Sequence, residues 1–208
     1  MIDSDEIHRI PPERLRDRDV LSALEAEIKS LTDADDRNHA WFSLTKRLTN
    51  EGIFDRAEHF ARSIETWPIE KTWLLADIAA GLMRLGHKDD ALRLLAEAVS
   101  IARANGRDWQ RAGAFSRIAT RYMDFDERQL ASGLLNEAVA VAQLGEATGE
   151  GHDIEDSAGV LREVAVKLAQ LGEVDLARAA AASIQQRVRR NAAVADVEDE
   201  ISRARQVG

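Results

Sequence analysis

One column of four alanines constrains this chain more than any other feature. Ala57, Ala91, Ala131 and Ala177 each stand five residues after an anchor, namely Gly52, Gly86, Asp126 and Gly172. The positions before the anchors agree as well. Eight residues before come Leu44, Ile78, Ile118 and Val164, and four before come Leu48, Leu82, Tyr122 and Leu168. Twelve residues upstream of each alanine lies a second compact residue, Thr45, Ala79, Ala119 or Ala165. Two helices folding back across a tight turn meet at that separation, and small side chains at the crossing let them close up. Glycine at the anchor ends the first helix with a positive φ. Asp126 must take the same conformation at a cost, or turn another way.

The rest of the sequence favours helix. It holds 34 Ala and 21 Leu against three prolines, Pro11, Pro12 and Pro68, all at expected helix boundaries. Apolar residues recur at three- and four-residue steps, as in Trp73, Leu74, Ile78, Leu82 and Leu85. This predicts ten helices, over 12–31, 37–50, 54–66, 70–85, 88–105, 108–124, 127–144, 155–171, 173–189 and 191–206. Short links between them make consecutive helices antiparallel hairpins.

The pattern resembles the tetratricopeptide repeat (TPR) family. Copy one reads Trp41, Leu44, Thr45, Leu48, Ala57, Ala61 and Ile64, and copy three reads Phe115, Ile118, Ala119, Tyr122, Ala131, Leu135 and Ala138. The resemblance implies an all-α, α-α superhelix: a TPR-like solenoid of about four hairpins with N- and C-terminal capping helices. Repeats fall near 38–71, 72–111, 112–157 and 158–191 within a single domain over 12–206, preceded by a charged tail over 1–11. The longer second copy is similar to the repeats of bacterial signalling regulators. Caps are expected from 12–31, with Leu21, Leu24, Ile28 and Leu31, and from 191–206, with Val194, Val197 and Ile201. The segment 145–155 reads as a flexible, acidic, glycine-rich insertion.

Chemistry is sparse. The chain lacks cysteine, and its five histidines never pair at metal-ligand spacing, so no metal or cofactor is expected. The acidic clusters Asp33, Asp35, Asp36 and Asp153, Glu155, Asp156 sit at helix starts, where carboxylates favour exposed N–H groups. No phosphate loop or nucleophile elbow is present, and an enzyme is not expected. A formal charge of −9 argues against nucleic acid, with the patch Arg187, Arg189 and Arg190 read as a helix C-terminus. No 18-residue apolar run or leader is visible, which points to a cytoplasmic protein off the membrane.

The resemblance also implies a binding groove lined by the first helices of successive hairpins. The positions carried over are His39, Phe42, Lys46 and Asn50 from copy one, and Trp73, Asp77, Met83 and Arg84 from copy two. Arg117 and Met123 follow from copy three and Arg162 from copy four. Trp73, Phe42, Met83 and Met123 are the expected anchors. Trp41, Trp67 and Trp109 are expected in core or junction packing. The function implied is a non-enzymatic scaffold that takes a peptide or helix of another protein. A small-molecule-sensing regulatory solenoid is the alternative, a catalytic use of Asp77, Asp124 and Glu163 ranks third, and homo-oligomerisation through an end helix is left open.

Overall fold

The computed structural model describes residues 4–207. These residues form eleven α-helices and one 3-10 turn, with no strand among them. In order they are α1 (Ser4–Arg9), the turn Arg14–Arg16, α2 (Arg18–Ser30), α3 (Ala34–Asn50), α4 (Phe54–Arg62), α5 (Pro68–Arg84), α6 (Lys88–Ala104), α7 (Asp108–Asp124), α8 (Arg128–Thr148), α9 (His152–Gln170), α10 (Val174–Ser183) and α11 (Arg187–Val207). The chain is therefore all-α and built of consecutive helical hairpins. Its contacts form two compact units, the first ending at Ile101 and the second beginning at Ala102, within α6.

In the first unit α3 pairs with α4, α5 packs on both, and α1 lies on α3. The core is aromatic near the first hairpin. Trp41 stacks on Phe60 with ring centroids 5.4 Å apart and planes at 14°, and Leu44, Leu48, Ile64 and Leu75 are fully enclosed. Each such side chain contributes about 1.5–3 kcal/mol of transfer free energy. Gly81 marks a close approach. A Cβ there would collide with the Phe54 ring, so glycine lets the start of α4 lie against α5.

In the second unit α7 pairs with α8 and α9 with α10, α7 packs on α9, and α11 rests on α9 and α10. Phe115, Ile118, Leu135, Leu161 and Leu168 fill its core.

The four anchor turns are one structure made four times. Gly52, Gly86, Asp126 and Gly172 have φ of 72°, 84°, 59° and 83°. After them the N–H groups of Ile53, His87, Glu127 and Glu173 donate to the carbonyls of Leu48, Leu82, Tyr122 and Leu168 at 2.9, 3.0, 2.8 and 2.9 Å. The anchors' own N–H groups donate to Thr49, Met83, Met123 and Ala169, completing the Schellman pattern that satisfies the last carbonyls of each first helix. The column of three leucines and Tyr122 thus supplies both an apolar contact and the acceptor of the closing bond. All four alanines and all four compact partners have zero exposure.

Several expectations need correction. The charged N-terminal tail holds a helix: α1 buries Ile7 completely and packs on α3. Met1, Ile2 and Asp3 lie outside the described residues. The cap expected as one helix over 12–31 is broken at Asp17, whose carboxylate accepts from Asp19 N at 2.9 Å and starts α2. Second helices 54–66 and 173–189 end early, at Arg62 and Ser183. The C-terminal cap buries Ala193, Val197 and Ile201, leaving Val194 on its outer side.

The segment 145–155 is not a flexible loop. Helix α8 continues through it to Thr148 and α9 begins at His152. Gly145 is a packing glycine, because a Cβ would strike Ser157 Oγ and come within 3.2 Å of Asp108 Cβ. The real turn is Gly149–Gly151, with Gly151 at φ 54°. Arg187, Arg189 and Arg190 open α11 rather than close a helix. There the dipole disfavours cations, and contacts to Glu155 and to the Ile184 carbonyl offset it.

Candidate functional site

Counting back from each anchor, positions thirteen, nine, six and two fall on one face of a 3.6-residue helix. On α3 that stripe is His39, Ser43, Lys46 and Asn50, and on α5 it is Trp73, Asp77, Ala80 and Arg84. Helices α3 and α5 pack on one another, so both stripes belong to neighbouring helices of the first unit. His39, Lys46, Asn50 and Arg84 are exposed, Trp73 and Asp77 half-buried, and Ser43 buried. Phe42 and Met83, also half-buried, flank the stripe.

Local chemistry positions these residues. Asp33 caps α3 by accepting from Asp35 N and Asp36 N at 2.8 and 3.0 Å, which accounts for the first acidic cluster. His39 sets its ring edge-on to Trp67, centroids 4.2 Å apart, with Nδ1 3.0 Å from the Asp35 carbonyl oxygen. Trp67 donates its indole N–H to Asp35 at 3.2 Å and precedes Pro68, the first residue of α5. Buried Asn38 holds the same junction, donating to Thr66 Oγ1 and accepting from Glu65 N. His39 is thereby part of the junction as well as of the stripe.

Two cations of this face stand outside the ion-pair network. Many of the chain's arginines have acidic partners. Examples are Arg62 with Glu97 and Glu58, Arg93 with Glu58, Arg103 with Glu137 and Arg178 with Glu198. The side chains of Lys46 and Arg84 make no hydrogen bond or ion pair among the described residues.

In the second unit the equivalent stripes run along α7 and α9. Arg117 is exposed, Met123 is half-buried at the flank, and Arg162 is bound to Asp196 at 2.5 Å. Sequence reasoning missed the main feature here. Ser116, completely buried, donates to Glu163 Oε1 at 2.9 Å. Lys167 donates to Glu163 at 2.5 Å, to Ser116 Oγ at 2.9 Å and to the Ser116 carbonyl at 3.2 Å. Burial pushes the Glu163 carboxyl up, but the Lys167 hydrogen bond and charge, with the Ser116 hydroxyl, outweigh it and hold the carboxyl below its ordinary value. Glu163 is thus held ionised by its partners on α9 and α7. The available signal was the four-residue spacing of Glu163 and Lys167; Ser116, 47 residues away from Glu163, gives none.

The carboxylate that burial does raise is Glu146, 3% exposed on α8, with the Gln185 N–H and the Arg189 charge pulling it part of the way back. It accepts from the Gln185 N–H, 3.3 Å away at the nearer oxygen. The second acidic cluster is structural too. Asp153 accepts from the Trp109 indole at 3.0 Å and from Arg107 at 3.2 Å, tying α9 to α7. Among the described residues no three His, Cys, Asp or Glu side chains converge as a metal site, and no helix is long and apolar enough to cross a membrane.

No protein-family model matches the sequence, and no curated protein matches it either. Among solved structures it is similar to BtubC (BKLC) from P. vanneervenii, with a TM-score of 0.46 at 19% identity over 99% of this chain and 86% of that one. It is also similar to Ton1535 from Thermococcus onnurineus NA1, with a TM-score of 0.37 at 15% identity over 99% of this chain and 85% of that one.

Proposed function

We propose that this chain is a non-enzymatic, TPR-like protein-interaction module of the cytoplasm whose first unit takes a peptide or helix of another protein along α3 and α5. One observation carries the proposal. Trp73, Phe42 and Met83 stay partly open on and beside two neighbouring helix stripes, next to the unpaired cations Lys46 and Arg84, in a protein of net charge −9. Aromatic and methionine side chains give large contact area. Flanking cations favour an acidic or carboxyl-rich segment and would speed its arrival.

The test uses the full chain as bait in native lysate, against a Trp73→Ala, Met83→Ala double variant and a Lys46→Glu, Arg84→Glu variant. Both are expected to lose the same partner with unchanged far-UV circular dichroism. Retention of that partner by both variants would exclude the α3–α5 face. Of the three carboxylates in the catalytic alternative, Glu163 is engaged in a cross-helix clasp.

A further inference from the structure

Helix α8 carries an apolar ridge that its own unit leaves facing solvent. Counting four, seven, eleven, fourteen, eighteen and twenty-one residues on from Asp126 gives Leu130, Gly133, Glu137, Ala140, Leu144 and Ala147, a pattern of seven-residue period. Leu130 and Leu144 stand 49% and 50% exposed, and Gly133, Ala140 and Ala147 are exposed as well. On α6 the first four of these positions hold Asp90, Arg93, Glu97 and Ser100. Charge is used there in ion pairs, Arg93 with Glu58 at 3.0 Å and Glu97 with Arg62 at 2.9 Å. The α8 ridge has a single charge, Glu137, which Arg103 neutralises through hydrogen bonds of 2.9 and 2.8 Å. Along its flank the exposed Gln129, Asn136 and Gln143 are uncharged amides.

Gly133 serves no contact inside its own unit. A Cβ there would meet nothing within 4 Å, and glycine in a helix interior costs stability. What it provides is a hole on the ridge. Size alternates along the pattern, with Leu130, Glu137 and Leu144 large and Gly133, Ala140 and Ala147 small. When two such ridges run antiparallel, each large position falls opposite a small one: Leu130 against Ala147, Glu137 against Ala140 and Leu144 against Gly133. Run parallel, large meets large and small meets small. The ridge is therefore its own complement. It is also a neutral surface in a chain of net charge −9, whose copies elsewhere repel.

We propose that a second copy of this chain covers the ridge, α8 packing antiparallel on α8 about a two-fold axis between Glu137 and Ala140. A ridge about 26 Å long and one helix wide lies at the small end of specific interfaces, so the dimer is reversible and forms with rising concentration. It uses no residue of the α3–α5 face and stands or falls separately from peptide docking.

Sedimentation velocity of the full chain from about 2 to 500 µM tests it. The expected result is a monomer–dimer equilibrium that Leu144→Glu and Gly133→Gln each weaken by about tenfold or more. Glutamine fills the hole without adding charge and is a better helix former than glycine, so its effect is not a folding defect. Leu176→Glu, exposed on α10 outside the ridge, should dimerise as the unaltered chain does. Because the chain has no cysteine, single-cysteine variants report the orientation. Ala140→Cys should cross-link to itself through a short bismaleimide, whereas Gln129→Cys, about 28 Å from its equivalent in an antiparallel pair, should not. A chain monomeric throughout the range, undiminished association of Gly133→Gln, loss of association in Leu176→Glu, or cross-linking of both cysteine variants would each overturn the proposal.

Discussion

The two units present different first-helix surfaces at the same register. Thirteen residues before the turn, the first unit has His39 and Trp73 and the second has Gly113 and Gly159. Five before it, α5 has Gly81 where α9 has Lys167. In the first unit that glycine brings an aromatic ring onto the helix. In the second, the lysine binds a glutamate on its own helix and a serine across the helix pair. Ion pairs from α9 to α11, Arg162 to Asp196 and Arg189 to Glu155, extend the polar fastening. Donors committed inside a unit are not available to a partner. The first unit keeps Phe42 and Trp73 half-open and leaves Lys46 and Arg84 without a partner among the described residues, which is why the docking proposal rests on it.

The sharpest break of this comparison is Gly81→Val. The added branch must displace the Phe54 ring, and a β-branched residue adds helix strain, for an expected loss of about 2–3 kcal/mol. Urea unfolding gives the size, and hydrogen exchange should show the loss in α4 and α5 while amides of α9 and α11 keep their protection. Uniform loss over both units would mean that they unfold as one.

Next in size is the polar clasp. Lys167→Met removes the donor and leaves Glu163 and Ser116 without it, at about 1–2 kcal/mol. Its pH dependence has a definite sign. Glu163 and Glu137, the latter held low by the hydrogen bond from Arg103, contribute stability above the ordinary carboxylate range of about 4.3. That contribution is lost as pH falls through their lowered values. Glu146 runs the other way, because burial raises it and folding favours its protonated form. Glu146→Gln should therefore stabilise by about 1 kcal/mol at neutral pH. The gain should fade as pH drops and the wild-type carboxyl protonates. Melting temperatures of both variants between pH 3.5 and 8 check the opposed slopes.

The hairpin pattern was legible because its causes are local: a left-handed turn residue, a closing acceptor and two small residues a dozen positions apart. Trp41 in the core and Trp67 at a helix start followed from the same period. The misreadings share a different cause. Gly145 looked like a loop residue, yet its lack of a side chain serves a contact with Ser157 that only the fold reveals. The charge of 1–11 hid Ile7, which is fully buried in a short helix packed on α3. The Ser116 to Glu163 bond joins residues 47 positions apart, and periodicity carries no information at that range.

The smallest effect tests the turn itself, where the second unit differs from the other anchors in one residue. Asp126 holds φ 59° as an L-residue, whereas Gly52, Gly86 and Gly172 adopt theirs without a Cβ. Asp126→Gly removes that strain, but glycine also loosens the unfolded chain, and aspartate tolerates the left-handed region better than most residues. The expected net gain is about 0.5 kcal/mol, read as a small rise in the urea midpoint at unchanged slope. Gly86→Ala, which imposes the same strain on the first unit, should cost about 1 kcal/mol or more. A loss in both variants would mean that the Asp126 side chain stabilises its own turn. The fourfold pattern would then tolerate departures from glycine only where the side chain can do so.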